Sequence, residues 1–154
     1  GGGGDALTMR EVIAAPRPGL DLRRHYGHHQ SPAIRAGGLI FCSGKVAWDA
    51  MTARDVRNAP VAIVRIEQLY PLPTEQMLAV LAKYPNAREL RWLQEEPANM
   101  GAWNFIEHHT WRIKERGYDL RHIARVGSGS PATGSKIIHD QELAQLMGEV
   151  FDGL

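Results

Sequence analysis

Residues 39–66 read LIFCSGKVAWDAMTARDVRNAPVAIVRI, and the two ends of this stretch, LIFC (39–42) and VAIVRI (61–66), are near-continuous apolar runs rich in branched residues. Runs of that kind suit strands covered on both faces by helices, so both are expected to be central and parallel. Between them, residues 46–57 place Val46, Ala50, Met51 and Ala53 on one side of a helix, with Asp49, Arg54, Asp55 and Arg57 mainly on the other. That is the pattern of an amphipathic crossover helix, and strand, helix and strand together make a βαβ unit. The expected class is therefore α/β, with a mostly parallel sheet between helices.

The same alternation continues toward the C-terminus. Pro71 and Pro73 punctuate the chain, after which Thr74 is placed to cap a helix with Glu75 in its first turn and Met77, Leu78, Leu81 and Tyr84 as its apolar stripe. Pro85 and Asn86 end that helix. A third strand is expected over residues 90–93, followed by a loop and a helix over about 100–116 that Gly117 terminates. Residues 122–126 read as a fourth strand, residues 127–135 as a Gly- and Ser-rich loop, and residues 140–151 as a closing helix with Leu143, Leu146, Met147 and Val150 inward. There is no internal repeat.

Toward the N-terminus the pattern stops. Residues 5–38 carry the run APRPGLDLRRHYGHHQSP with few branched apolar residues, so residues 1–38 are expected to form a poorly ordered arm, with Gly1 to Gly4 an artificial start. Within the arm, MREVIAA suits two helical turns before Pro16. Residues 39–154 are left as one domain, long enough to bury a core without staples.

Composition narrows the function classes. Eighteen Lys and Arg nearly cancel 17 Asp and Glu and are dispersed along the chain, so no footprint for nucleic acid or an anionic membrane is present. The lone Cys42 excludes an intrachain disulfide and, within LIFC, reads as a buried thiol in a reducing, cytoplasmic compartment. No apolar stretch approaches the roughly 18 residues needed to span a bilayer.

Three loop strings, CSGK (42–45), QEEP (94–97) and GSGSPATGS (127–135), fall at the carboxyl ends of expected strands. In a parallel α/β sheet those ends share one edge, where helix N-termini expose free N–H groups to ligands. Ser43, Lys45, Ser128 and Ser130 supply donors suited to phosphate, although ordinary loop chemistry would use the same residue types. GSPATGSK (129–136) is not a phosphate-binding P-loop, because Ser135 stands where that motif needs Lys and Lys136 comes one residue late. No G-x-G-x-x-G follows any expected strand, so no self-contained dinucleotide site is expected. Glu95 and Glu96 are adjacent and need not converge on one bond, so they do not read as a catalytic pair. His25, His28 and His29 lack the further ligands of a zinc site and read as a solvated arm, and His108 and His109 read as surface residues. Trp48, Trp92, Trp103 and Trp111 read as core or interface area. The residues themselves indicate no catalytic, cofactor-binding or metal-binding set.

Four strings in one order, CSGK (42–45), EQLYPLP (67–73), QEEPANMGAW (94–103) and SPATGS (130–135), resemble the C-terminal region of the decarboxylating first component of 2-oxoglutarate dehydrogenase, across residues 39–154. The resemblance implies a three-layer domain similar to the transketolase C-terminal domain. Full-length members are thiamine diphosphate- and Mg²⁺-dependent, act in the tricarboxylic acid cycle and pass a succinyl unit to the lipoyl group of a succinyltransferase component. Their cofactor and substrate sites lie on upstream domains, so the resemblance implies a bacterial, cytoplasmic assembly and regulatory domain that is not catalytic alone. It further implies a homodimer, with Gln94, Glu95, Glu96, Asn99 and Trp103 at the subunit interface. A nucleotide effector, AMP or acetyl-CoA, would be held by Ser43, Lys45, Arg125, Ser128 and Ser130. Residues 136–139 (KIIH) and 108–117 (HHTWRIKERG) depart from the family's usual text. The alternative is a free-standing nucleotide- or anion-binding module that keeps the fold.

Overall fold

Short branched runs separated by amphipathic segments leave the backbone few ways to satisfy its hydrogen bonds except a parallel sheet clad in helices. The computed structural model describes residues 10–13, 38–87 and 89–154, and these form that architecture. The strands are β1 (Arg10–Ile13), β2 (Gly38–Cys42), β3 (Val61–Ile66), β4 (Glu89–Pro97) and β5 (Asp119–Arg125). The helices are α1 (Val46–Arg57), α2 (Thr74–Leu81), α3 (Trp103–His109), α4 (Trp111–Lys114) and α5 (Lys136–Glu149). The sheet order is β1-β3-β2-β4-β5, and every pair is parallel.

Chain direction explains the layering. From β2 the chain moves one way through α1 to β3, then returns through α2 past β2 to β4 and through α3 and α4 to β5. Right-handed crossovers require those two directions to use opposite faces of the sheet. Accordingly Leu39, Phe41, Val64, Leu90 and Trp92 pack against Met77, Leu78 and Leu81 of α2 with Ile106 of α3. On the other face Ile40, Cys42, Ile63, Leu93 and Ile123 pack against Val46, Ala50 and Met51 of α1 with Leu146, Met147 and Val150 beside them. The result is three layers, as expected.

Several local expectations are corrected. Part of MREVIAA, Arg10–Ile13, is strand β1 paired with β3 rather than helix; a branched residue beside an open sheet edge gains more from pairing than from two isolated helical turns. Gly38, placed in the arm, is the first residue of β2. QEEP continues β4 instead of leaving it, through a register shift between Leu93 and Pro97. The expected helix over 100–116 is two short helices, broken at Thr110, whose hydroxyl donates to Ile106 O at 2.7 Å. β5 begins at Asp119 and α5 at Lys136, each a few residues earlier than expected. Thr74 is the first residue of α2 and does not cap it; Pro73 holds that position with no side-chain cap. Arg54, assigned to the outer face of α1, is buried and bonds Asp55. The expectations for residues 1–9 and 14–37, including His25, His28 and His29, lie outside the described residues.

A buried cation and its carboxylate partner hold the end of α5 to the sheet. Arg91 lies in the middle of LRWL, 1% exposed, on the α5 face of the sheet. Its Nη1 donates to Glu149 O and Val150 O, both at 3.0 Å, and its Nη2 to Asp152 O at 2.6 Å. Nε and Nη2 also donate to Glu89 Oε1 at 2.9 and 2.6 Å. Every guanidinium N–H is thereby used, and the free carbonyls at the end of α5 are capped by a cation. Burial would push the Glu89 carboxyl up, but hydrogen bonds and charge from Arg91 and Arg121 hold it below its ordinary value.

Candidate functional site

The loops after β2 and β4 leave adjacent strands in opposite directions, which is the switch point where parallel α/β sheets gather ligands and contacts. At the carboxyl edge beside it, two loops distant in sequence are locked together. Residues 94–103 run from the end of β4 to the start of α3, and residues 126–135 follow β5.

Gln94 organises the first loop from inside. It is 2% exposed, and its Oε1 accepts from Trp92 Nε1 at 3.0 Å and from the Trp103 backbone N–H at 3.1 Å. Its Nε2 donates to Met100 O at 2.8 Å and Pro97 O at 3.2 Å. A buried amide satisfied on both ends fixes the turn and seats the first residue of α3. Gly101 is required there: its φ is +71°, and a Cβ would sit 2.9 Å from Gln94 Nε2.

Asn99 and Arg125 join this loop to the second. Asn99 Nδ2 donates to Ser128 O and its Oδ1 accepts from the Ser128 N–H, both at 2.9 Å, a pairing that imitates a strand ladder. Arg125, 9% exposed at the end of β5, donates through Nε to Glu95 O at 2.5 Å and through Nη2 to Pro131 O at 2.5 Å. Nη1 reaches Glu142 Oε2 of α5 at 3.0 Å. One guanidinium thus ties the end of β4, the β5 loop and α5 at a single point, using the planar fork that makes Arg unlike Lys.

Between these loops and the start of α5 lies an open cleft of about 610 Å³, lined by Glu95, Glu96, Arg125, Ser135, Lys136 and His139. His139 Nδ1 lies 3.7 Å from Glu95 Oε1, and Lys136 donates to Asp140 at 2.5 Å. That hydrogen bond is the chief cause holding the Asp140 carboxyl below its ordinary value, helped by the charges of His139 and Lys45. The cleft offers mixed charge, with cations at Arg125 and Lys136 and the His139 imidazole facing Glu95 and Glu96.

The five effector candidates are therefore not gathered on one wall. Arg125 lines the cleft, while Ser128 and Ser130 turn their hydroxyls into their own loop, Ser128 Oγ accepting from the Ser130 N–H and Ser130 Oγ donating to Ala132 O. Ser43 is half-buried after β2, and exposed Lys45 pairs with Asp49 at 3.6 Å across the first turn of α1. Of the interface candidates, Glu96 and Asn99 are exposed and Glu95 is half-buried, whereas Gln94 is turned inward and shapes the loop from beneath. Trp103 is half-buried, its indole stacked on His122 of β5 with centroids 4.3 Å apart and planes at 7°. Burial lowers the His122 pKa from its ordinary 6.5, against the opposing charge of Glu107.

Sequence reasoning missed Arg91, Lys136, His139 and His122. An arginine inside an otherwise apolar strand was the available signal for Arg91, since a buried charge needs partners. The other three gave none, because their roles depend on which helix crosses which strand. Among the described residues no three His, Cys, Asp or Glu side chains are grouped to hold a metal, and no helix is long and apolar enough to cross a membrane.

Comparison with known proteins gives this edge its context. Residues 25–151 match the family described as 2-oxoglutarate dehydrogenase C-terminal. A 2-oxoglutarate dehydrogenase E1 component of Cupriavidus necator is 39% identical over 125 residues, covering 80% of this chain and 13% of the relative. The E1 component of an Exiguobacterium species is 41% identical over 116 residues, 73% of this chain and 12% of the relative. That of a Geobacillus species is 32% identical over 155 residues, 92% of this chain and 16% of the relative. The chain thus spans a small fraction of the length of the curated relatives it matches. With a family match over most of its length, the chain belongs to the 2-oxoglutarate dehydrogenase C-terminal family.

Proposed function

We propose that the chain serves as the C-terminal assembly and regulatory domain of a 2-oxoglutarate dehydrogenase E1 component and is not catalytic alone. The observation that supports this most is the double lock on the carboxyl edge. A buried guanidinium and a two-way Asn99 bridge hold the two loops in one shape. Fixing loops in advance lowers the entropic cost of docking, which is the physical advantage of a preorganised contact surface. Glu95, Glu96, Asn99 and Trp103 present that surface to a second subunit, with Gln94 supporting it from below. In the assembled enzyme, upstream domains would hold thiamine diphosphate and Mg²⁺, catalyse oxidative decarboxylation of 2-oxoglutarate in the tricarboxylic acid cycle and pass succinyl groups to the succinyltransferase component. The setting is the bacterial cytoplasm. Family membership does not favour the free-standing anion-binding module.

A nucleotide effector, AMP or acetyl-CoA, would place phosphate at the Arg125 cleft, where the guanidinium retains unused N–H directions beyond its three bonds. Lys45, Ser43, Ser128 and Ser130 would flank it along the edge. The test is sedimentation velocity of the purified chain mixed with the Cupriavidus necator E1 component truncated before its matching segment, followed by calorimetric titration of AMP and acetyl-CoA. Co-sedimentation and Arg125-dependent heat are expected. Separate boundaries would remove the assembly role, and heat unchanged in Arg125→Met would remove the effector site.

A further inference from the structure

The carboxyl-edge loops leave a second surface unexplained. On the opposite helical layer, the segment after β3 and the α3–α4 pair enclose an open groove of about 900 Å³, lined by Tyr70, Leu72, Phe105, His109, Trp111 and Arg112. Tyr70 is 83% exposed and Trp111 56%, although both are large rings whose burial is favourable. The rings are organised. Tyr70 and Phe105 lie 6.4 Å apart, and Phe105 stacks on His109 at 4.0 Å, with His109 Nδ1 against Phe105 O at 2.8 Å. Gln68 Nε2 donates to Pro71 O at 2.8 Å, so the wall carrying Tyr70 is also braced.

The charges around the groove cancel locally. Arg112 pairs with Glu75, and Glu107 lies 3.7 Å from Lys114. Glu107 is the acidic residue of the lining and Lys114 faces it, while Tyr70, Phe105, Trp111 and Arg112 supply the aromatic and Arg enrichment of protein interfaces. An anionic ligand would find no uncompensated cation among Arg112 and Lys114. The surface is complementary to a neutral, apolar protein segment.

We infer that this aromatic groove is the seat of the upstream part of the same E1 polypeptide, which packs an uncharged aliphatic or aromatic segment between Tyr70 and Trp111. The inference rests on the assembly role proposed above. Its occupant is set by length and charge: relatives carry this region as 12–16% of their chains, so most of the enzyme lies outside it and needs a face to pack on. Exposed rings on a neutral, braced groove are the apolar surface that such packing would cover.

The test uses a full-length chimera, the Cupriavidus necator E1 component with its matching C-terminal segment replaced by this chain. Carbene footprinting compares the chimera with the isolated chain across a concentration series. Tyr70 and Trp111 are expected to lose at least five-fold in labelling in the chimera, and to stay fully labelled in the isolated chain. A double variant, Tyr70→Ser with Trp111→Ser, should leave the melting temperature of the isolated chain unchanged and lower the chimera's activity by at least ten-fold. Rings that remain labelled in a folded, active chimera would overturn the groove assignment while leaving the assembly role standing. Labelling lost as the isolated chain is concentrated would assign the groove to a second copy and overturn it also. A chimera that does not fold would defeat both the assembly role and the groove.

Discussion

At the scale of single residues, buried polar groups carry the specificity of this fold. Gln94→Leu keeps the approximate volume but leaves the Trp92 and Trp103 N–H groups and the Pro97 and Met100 carbonyls without their partner. Because an unsatisfied buried group costs about 1–3 kcal/mol, the variant should lose at least 2 kcal/mol in urea denaturation. Little or no loss would mean that the loop holds its shape without the amide. Cys42 has its thiol pushed up to about 12, chiefly by burial and against the lowering influence of Arg65, so it should react with Ellman's reagent only on unfolding. Fast labelling of the native chain would contradict its burial. His122 gives a pH signature. Its folded pKa lies below 6.5, so the unfolded chain binds more protons, and the stability it contributes is complete above 6.5 and declines as pH falls through the folded value. Urea midpoints measured from about pH 7.5 to 5.5 should fall in the native chain and fall less in His122→Phe, which keeps a ring against Trp103. Parallel slopes would exclude His122 as the titrating group.

Elements were legible where apolar periodicity is strong and obscure where tertiary contacts decide. LIFC and VAIVRI read correctly as central strands because both of their faces are buried, and α1 was bounded correctly by its amphipathic pattern. Strand β1 was hidden: REVI suits a helix as well as a strand until the open edge of β3 is beside it. QEEP read as a loop because its polar residues mask an extended backbone, which a register shift and pairing with β5 maintain. Thr110 splits the α3–α4 segment by bonding its own helix, an option no periodicity reveals. The CSGK and SPATG motifs were legible as loops at strand ends, but the partners across the edge were not, since Arg125 meets Glu95 and Glu142 only once β4, β5 and α5 are assembled. α5 offers the sharpest test at this scale. Its tail is held by Arg91, so Arg91→Met should cost about 3 kcal/mol and raise amide exchange over residues 146–152 more than elsewhere. Uniform exchange across the sheet would show that α5 docks without that cap.

For the molecule as a whole, the chain belongs to the 2-oxoglutarate dehydrogenase C-terminal family and carries a locked carboxyl edge, the two facts on which the proposed assembly role rests. In that proposed role two surfaces would divide the work: the QEEP and SPATG loops toward a second subunit, and the aromatic groove toward the upstream chain. The most direct test is complementation, following thiamine diphosphate-dependent oxidation of 2-oxoglutarate with an artificial electron acceptor in a mixture of this chain and the truncated Cupriavidus necator E1 component. Activity restored in the mixture, absent from either part alone and lost with Arg125→Ala, is the predicted result. A mixture no more active than its separate parts, with both parts shown to be folded, would contradict the assembly role.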